Sequence, residues 1–548
     1  MTEWSHIAGT FSKDSGISIY INGKQAARLP VKGTATFADD VNLQIGRNLT
    51  LLPPTGLTRP DVSFPAPHSF DGIIDELKIY GRALSGEEIK QMYEANKPES
   101  IPPLEWRKLP QLPDGKGEFG AVYTRLKFYP EWDALWRVGP HPDIVVNFDD
   151  SNCKMVFWRG TNFNMNLVTE NGKWVGDQSA EGGGGNVIGC CEHMSDKQCR
   201  YAHVRLIENN DARVVVHWRY ALCDVLYRIA NLSDGWGAWA DEYYYIYPDG
   251  VAVRYFTVYG VEGCSITEPT VLSQPGEKPE DNVFLEAITL ANPAGESRTF
   301  SYQTWPSSGE AGAPFTNALP NANMSVVNLK SHYKPFYIYK PGTRIIPYGG
   351  GTKEVFYEYS HFHAKNHWPT CLMPTDGRRA WAPDRVTSSA ITSPEPPMKR
   401  REKDGALQGS FIMGLTDKGI KELILLAKSW LHPPTVEMNM PAFTSQGYSR
   451  DQRAYLFTKQ SSHEVPLEFE LVASRDSPVA NPVFVINKWG DAVVTLKING
   501  KPIKRGKRFR FGHRHTIEGS DLIVWIKTES TEPIKISLTP VPVQVTQS

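Results

Sequence analysis

Short runs in which apolar and polar residues alternate, broken by Gly, Pro, Asn or Asp, recur along almost the whole chain. Alternation at period two marks strands with one buried face. Residues 4–28 read as strand, turn, strand, then a hairpin at Asn22-Gly23, a dipeptide suited to two successive left-handed positions. Further strands are expected at 143–148, 154–158, 213–220, 243–247, 492–501 and 521–527, with an Asn499-Gly500 turn after the fifth. Two segments carry helical patterning. In 83–93, Ser85 can cap a short helix and Glu88 completes a capping box. The apolar run 420–430 reads as a helix, though also as a buried strand. The Pro-rich stretch 96–105 is a linker. It divides the chain into a front module (1–98) and a main domain (106–475), with a C-terminal β-sandwich (476–548) closing the sequence.

A length of 548 residues exceeds what one core supports. Lys+Arg 59 against Asp+Glu 60 leaves a net charge of −1, which offers no footprint for nucleic acid or anionic membranes. No run reaches the roughly 20 apolar residues of a membrane span. The opening Met1-Thr-Glu-Trp4 does not read as a secretory signal. Fifteen Trp, 23 Tyr and 23 Phe suit β-cores and also offer faces on which sugar rings stack. Seven cysteines are too few and too scattered for a disulfide scaffold. The basic stretch 501–514 reads as a solvated hairpin, or more sharply as a polyanion contact.

Candidate chemistry gathers on two hairpins. Placing the apolar residues of 201–207 and 213–220 on one side sets Ile207 opposite Arg213 and His203 opposite His217. Tyr201, Arg205, Arg213 and Arg219 then flank the histidines, a face suited to catalysis or anion binding. The second hairpin turns at Tyr247-Pro-Asp-Gly-Val251 and sets Tyr244 opposite Arg254, with Tyr243 and Tyr245 pointing the other way. His193 follows a mobile glycine tract, 181–186, and could supply an acid or base. Cys190, Cys191, His193 and Cys199 could instead bind zinc, although their spacing fits no common template. His361 and His363 share a strand face, a spacing suited to a metal or a sugar-binding rim.

The strands of 4–28, Leu43–Arg47, Phe70–Tyr80 and the capped segment 83–93 follow the order of the second half of a laminin-G/concanavalin-A-like jelly roll. The front module resembles that family without its first strands, so it is expected to lean on the next domain. Sugar or protein binding is what the resemblance implies. The segments 157–162, 168–172, 193–198, 211–220, 239–244 and 246–254 together resemble the ulvan-lyase type of polysaccharide lyase. That resemblance implies a seven-bladed β-propeller acting on sulfated rhamnose–uronate chains, secreted or at the cell surface. The fold class expected is therefore all-β: partial jelly roll, then β-propeller (alternatively a large β-sandwich), then a small sandwich.

By the same resemblance, His193, His203, His217, Tyr244 and Arg254 are the catalytic candidates, with Arg254 neutralising the uronate. Asn162, Arg205, Arg219, His361 and His363 are candidates for substrate binding. No cofactor is needed for β-elimination, and a structural calcium or zinc ion remains compatible with the composition. The partner expected is the polysaccharide itself. Two alternatives stand beside the lyase. A glycoside hydrolase needs facing carboxylates, and the adjacent Asp241 and Glu242 point to opposite faces. A non-catalytic glycan-binding protein needs neither.

Overall fold

A computed structural model describes residues 4–34, 43, 45, 74–97, 99, 108–113, 118–127, 142–301 (without 186, 188–190, 197, 225, 226 and 278), 319–347 and 386–541. His361, His363, most of 43–47 and most of the linker lie outside these residues. In the front module, Ile7–Ser12, Gly16–Ile21 and Lys24–Leu29 form a three-stranded antiparallel sheet. Asn22 and Gly23 both have positive φ, as an Asn-Gly hairpin turn requires. The helix Gly86–Asn96 begins on Ser85 with the capping box formed. It lies so close to the turn that a Cβ on Gly23 would come within 3.1 Å of Tyr93.

The main domain is built from a ten-stranded and a seven-stranded sheet. The larger runs through His203–Asn209, Val214–Ala221, Trp239–Ile246, Val251–Tyr259 and Leu407–Thr416, then Lys334–Ile338, Met324–Leu329, Val283–Ala291 and Ser297–Phe300. Lys399–Arg400 pairs beside Leu407–Thr416. The smaller includes Asp143–Asn147, Lys154–Phe157, Met165–Val168, Trp174–Asp177 and Pro269–Ser273. Phe157, Leu167 and Val175 from the smaller sheet share one core with Trp218, Phe256 and Phe411 from the larger. The two sheets face each other across this core, and the described strands keep to the all-β class expected.

An ionic network bridges the two sheets through that core. Arg254 grips Glu242 with Nε and Nη2, both at 2.7 Å, and reaches Asp177 of the smaller sheet with Nη1 at 2.5 Å. Tyr220 and Tyr244 donate to Glu242 at 2.7 and 2.6 Å, and Thr267 donates to Asp177 at 2.7 Å. Arg254 and Glu242 have no exposed surface, and Asp177 has 1%.

The C-terminal sandwich packs two five-stranded sheets around Phe457, Phe469, Phe484, Leu496 and Val524. Its first strand is Thr435–Glu437, so it begins some forty residues before the expected boundary at 476. Alternation in 435–472 looks the same whichever sheet a strand joins, which is why composition did not locate this boundary. Leu423–Leu431 is a helix and buries Trp430 against the larger sheet. The basic stretch 501–514 is solvated along most of its length, as expected, but it is not free. Arg505, Lys507 and Arg510 pair with Asp211, Asp150 and Asp149 of the main domain.

Removing one member of a fully buried ion network strands the others without water. Arg254→Met is expected to cost about 3–5 kcal/mol in urea unfolding. A midpoint unchanged from wild type would show that the network does not hold the sheets together.

Candidate functional site

The larger sheet buries Ala240, Glu242, Tyr244 and Ile246, so alternation turns Trp239, Asp241, Tyr243 and Tyr245 to its other face. The same rule turns Tyr255, Thr257 and Tyr259 outward from the next strand, opposite Tyr243, Asp241 and Trp239. At one end, Tyr245, Val253 and Ile412 are covered by the helix and the C-terminal sandwich. Beyond them the face carries two polar rows across five strands, exposed at His203 and Arg205, half-buried through the middle strands, and buried at Thr257 and Ser410. One row runs Arg205, His217, Tyr243, Tyr255, Ser410. The next runs His203, Arg219, Asp241, Thr257, Gln408. Trp239 and Tyr259 begin a third.

Within these rows Asp241 is the organiser. Its Oδ1 lies 2.7 Å from His217 Nε2, and its Oδ2 accepts from Arg219 Nη1 at 2.7 Å. Tyr243 stacks on the His217 ring at 4.5 Å and 21°. The Arg219 guanidinium lies 5.0 Å over the Trp239 ring, so it is held from two sides while its side chain stays 40% exposed. Gln408 donates to the Tyr255 hydroxyl at 2.8 Å. Burial pushes Asp241 up, but the hydrogen bond from His217 and the Arg219 charge outweigh it and hold the carboxyl below its usual range. Burial, then the Asp241 charge, push the Tyr243 phenol up, so it stays protonated at neutral pH.

The candidate residues divide between the two faces. His203, Arg205, His217 and Arg219 do share an accessible face, with His203 opposite Arg219 and Arg205 opposite His217. The pairing is two residues from that expected: next to the turn, Asn209 and Glu208 pair with Val214 and Val215, a shift of three, and the bulge at Ile207 takes one residue back and so restores the expected face. Arg213 leaves the open face, buried against Glu208. Tyr244 does lie opposite Arg254, but both are enclosed between the sheets, and the charge of Arg254 is already met by two carboxylates. A uronate cannot reach that guanidinium without opening the core.

His193 is likewise interior. Its ring meets Trp218 and Tyr220 edge-on, and its Nε2 accepts from the Ser179 amide at 3.4 Å. Asn162 is buried in a left-handed turn and donates to Asp196 O at 2.9 Å, so it shapes a loop rather than a substrate site. Asp241, Tyr243, Tyr255 and Trp239 were missed as site residues. The signal for them was the alternation in 239–246 read together with the accessible His217 face.

No three His, Cys, Asp or Glu side chains converge as a metal site among the described residues. Burial pushes the Cys153 and Cys191 thiols up to about 12, far from a reactive thiolate. A cleft of about 520 Å³ opens between the main domain and the C-terminal sandwich, around the turn at Pro248 to Gly250. It lies at the covered end of the hairpin, and its Asp150 and Asp249 are committed to Lys507 and Arg453. The polar rows, not this cleft, bring the candidate residues His203, Arg205, His217 and Arg219 together.

Residues 1–90 match the concanavalin A-like lectin/glucanases superfamily in its laminin-G form, in agreement with the resemblance of the front module. No curated protein matches the chain in sequence. Among solved structures, galactose 1-epimerase from Lactobacillus acidophilus NCFM is similar at 10% identity and a TM-score of 0.27, over 55% of this chain and 98% of that one. An α-mannosidase from Enterococcus faecalis V583 (7%, TM-score 0.26) is covered over 52% of its length by 80% of this chain. A heparinase III (11%, TM-score 0.22) is covered over 42% by 70% of this chain. The chain thus spans about half or less of the two larger enzymes. All three are carbohydrate-active, but likenesses this slight carry no functional argument. No helix among the described residues is long and apolar enough to cross a membrane.

A carboxyl group lowered by folding contributes stability above its unfolded pKa of about 4 and loses it as pH falls through the folded value. Asp241→Asn should therefore cost about 1.5–3 kcal/mol at pH 7. The cost should shrink as the pH is lowered below ~4, measured by paired urea titrations. A cost that stays constant through that window would refute the charge-assisted pairing with His217 and Arg219.

Proposed function

We propose that the chain is a polysaccharide lyase that cleaves a uronate-containing polysaccharide by β-elimination on the open face of the larger sheet. The observation that carries this reading is the His217–Asp241–Arg219 cluster: a base candidate and a guanidinium oriented by one carboxylate, beside the protonated phenol of Tyr243.

The hydrogen at C5 of a uronate is weakly acidic until the neighbouring carboxylate is neutralised. Arg219, fixed by Asp241 and Trp239, presents its exposed edge for that task, and Arg205 stands in the adjacent row. His217, in the tautomer that donates Nε2–H to Asp241, turns Nδ1 to the substrate and takes the C5 proton. Positive charge then develops on the ring beside the Asp241 carboxylate. The C5–H electron pair forms the C4=C5 double bond as the C4–O bond breaks. Tyr243, or Tyr255 in the same row, gives its proton to the departing glycosidic oxygen. His203 lies across from Arg219 and suits a hydroxyl or an anionic substituent of the sugar. The laminin-G-like module in front supports a carbohydrate setting and a secreted or cell-surface location.

A hydrolase needs two carboxylates about 5–9.5 Å apart across the sugar. The two open rows carry Asp241 as their carboxylate, and it is engaged by His217 and Arg219. That favours elimination.

Incubation with uronate-containing algal polysaccharides should generate ultraviolet absorbance from an unsaturated uronate. His217→Ala should lower kcat about 10²–10⁴-fold. Arg219→Lys keeps charge but loses the planar fork, and should lose roughly 10²-fold in kcat/KM. New reducing ends without absorbance would indicate a hydrolase, and binding without products a glycan-binding protein. Either outcome overturns the lyase.

A further inference from the structure

The first polar row does not end at Ser410. The strand Lys334–Ile338 pairs with Leu407–Thr416 so that Ile338 lies opposite Ile412. The same register carried two residues on sets Lys340 beside Ser410, on the same outward face. From the C-terminal sandwich, the turn between Phe443–Ser449 and Ala454–Lys459 reaches over this point, and Asp451 accepts a 2.6 Å hydrogen bond from Ser410 Oγ. Arg453 of that turn is locked to Asp249, and the Gln452 carbonyl accepts from Tyr247, so its placement is rigid. Lys340 is half-buried and feels both Asp451 and Arg450. Among the described residues it forms no ion pair within 4.0 Å. Burial pushes its ammonium down from the usual lysine value, the expected consequence of a cation short of water.

Neighbouring strands lie about 4.8 Å apart, so Ser410 stands roughly 14 Å and Lys340 roughly 19 Å from His217 along the row. Between them lie Tyr243 and Tyr255, whose rings give a partly apolar floor. We propose that Lys340 and Asp451 form a distal subsite that binds an anionic sugar residue of the same chain, several residues from the bond that is cleaved. This rests on the polysaccharide reading of the open face. Lys340 meets the carboxylate or sulfate oxygens, and Asp451 accepts from ring hydroxyls. A chain that touches both ends lies across the strands, which makes the C-terminal sandwich a wall of the substrate cleft.

The test uses the full chain carrying His217→Ala, so that binding is measured without turnover. Its affinity for ulvan and for chemically desulfated ulvan is measured by titration calorimetry, with and without Lys340→Gln or Asp451→Asn, each checked by thermal melting. Lys340→Gln should weaken binding about tenfold or more, the scale of one charge-assisted contact. Loss with both polymers assigns the contact to a carboxylate, and loss with native ulvan alone assigns it to a sulfate. Asp451→Asn should weaken binding of both polymers. In the His217-intact enzyme, Lys340→Gln should raise KM on the polymer with kcat nearly kept. Binding unchanged by either substitution overturns the subsite alone. If His217→Ala binds neither polymer, the functional reading falls, and the subsite with it.

Discussion

The bidentate grip of Arg254 on Glu242, with Asp177 reaching in from the facing sheet, is the constraint from which the rest of the main domain follows. Three charges in a dry interior are tolerated when each is met by hydrogen bonds, and here Tyr220, Tyr244, Thr267 and the Glu268 amide complete the set. The network ties one strand of the smaller sheet to two strands of the larger. It therefore fixes which side chains point inward as well as how the sheets face each other. A slip of one residue in either strand would drive Asp241 or Tyr243 into the core and expose Arg254.

With the inward set fixed, the outward set is determined by alternation. Asp241 lies between Arg254's partner Glu242 and Ala240 in sequence, yet on the opposite side of the sheet. The candidate site is thus the reverse face of the structural network, and it inherits the rigidity of strands rather than the mobility of loops. Together with the helix Leu423–Leu431, the C-terminal sandwich covers the part of this face where Val253 and Ile412 are apolar and leaves the part with His217 and Arg219 uncovered. Its three cations docked on Asp149, Asp150 and Asp211 hold that division in place.

Much of this was legible in the residues, and the failures have identifiable causes. The Tyr247–Val251 turn set the Tyr244–Arg254 register correctly because turn chemistry is local. Which face of that hairpin is buried was not legible: Trp239, Asp241, Tyr243 against Ala240, Glu242, Tyr244 offers aromatics and an acid on both sides. A buried guanidinium next to a tyrosine has the same sequence signature as a catalytic one, and only the position of Asp177, some eighty residues away, distinguishes them. The His217 face was read correctly because Val214, Val216 and Trp218 give that strand one clearly apolar side. The pairing across from it failed because neither the tight turn at 210–213 nor the bulge at Ile207 has a reliable sequence mark. The basic stretch 501–514 looked free because its acidic partners lie about 300 residues or more away in sequence.

On the proposed reading of the open face as a polysaccharide site, charge distribution is what gives it selectivity. The protein as a whole is almost neutral, so no long-range field draws in a polyanion. The face itself is locally cationic: Arg205 and Arg219 flank one end, Lys340 stands at the other, and Asp241 is engaged by its neighbours. Screening has a range of about 8 Å at physiological salt. A charge on the substrate therefore senses one of these cations only at close approach. Recognition must then come from fitting an anionic chain to several fixed points across the strands. A single anion would meet one cation and be held weakly. On that reading, the spacing of the cations, more than their number, separates an extended acidic polysaccharide from a small acidic sugar.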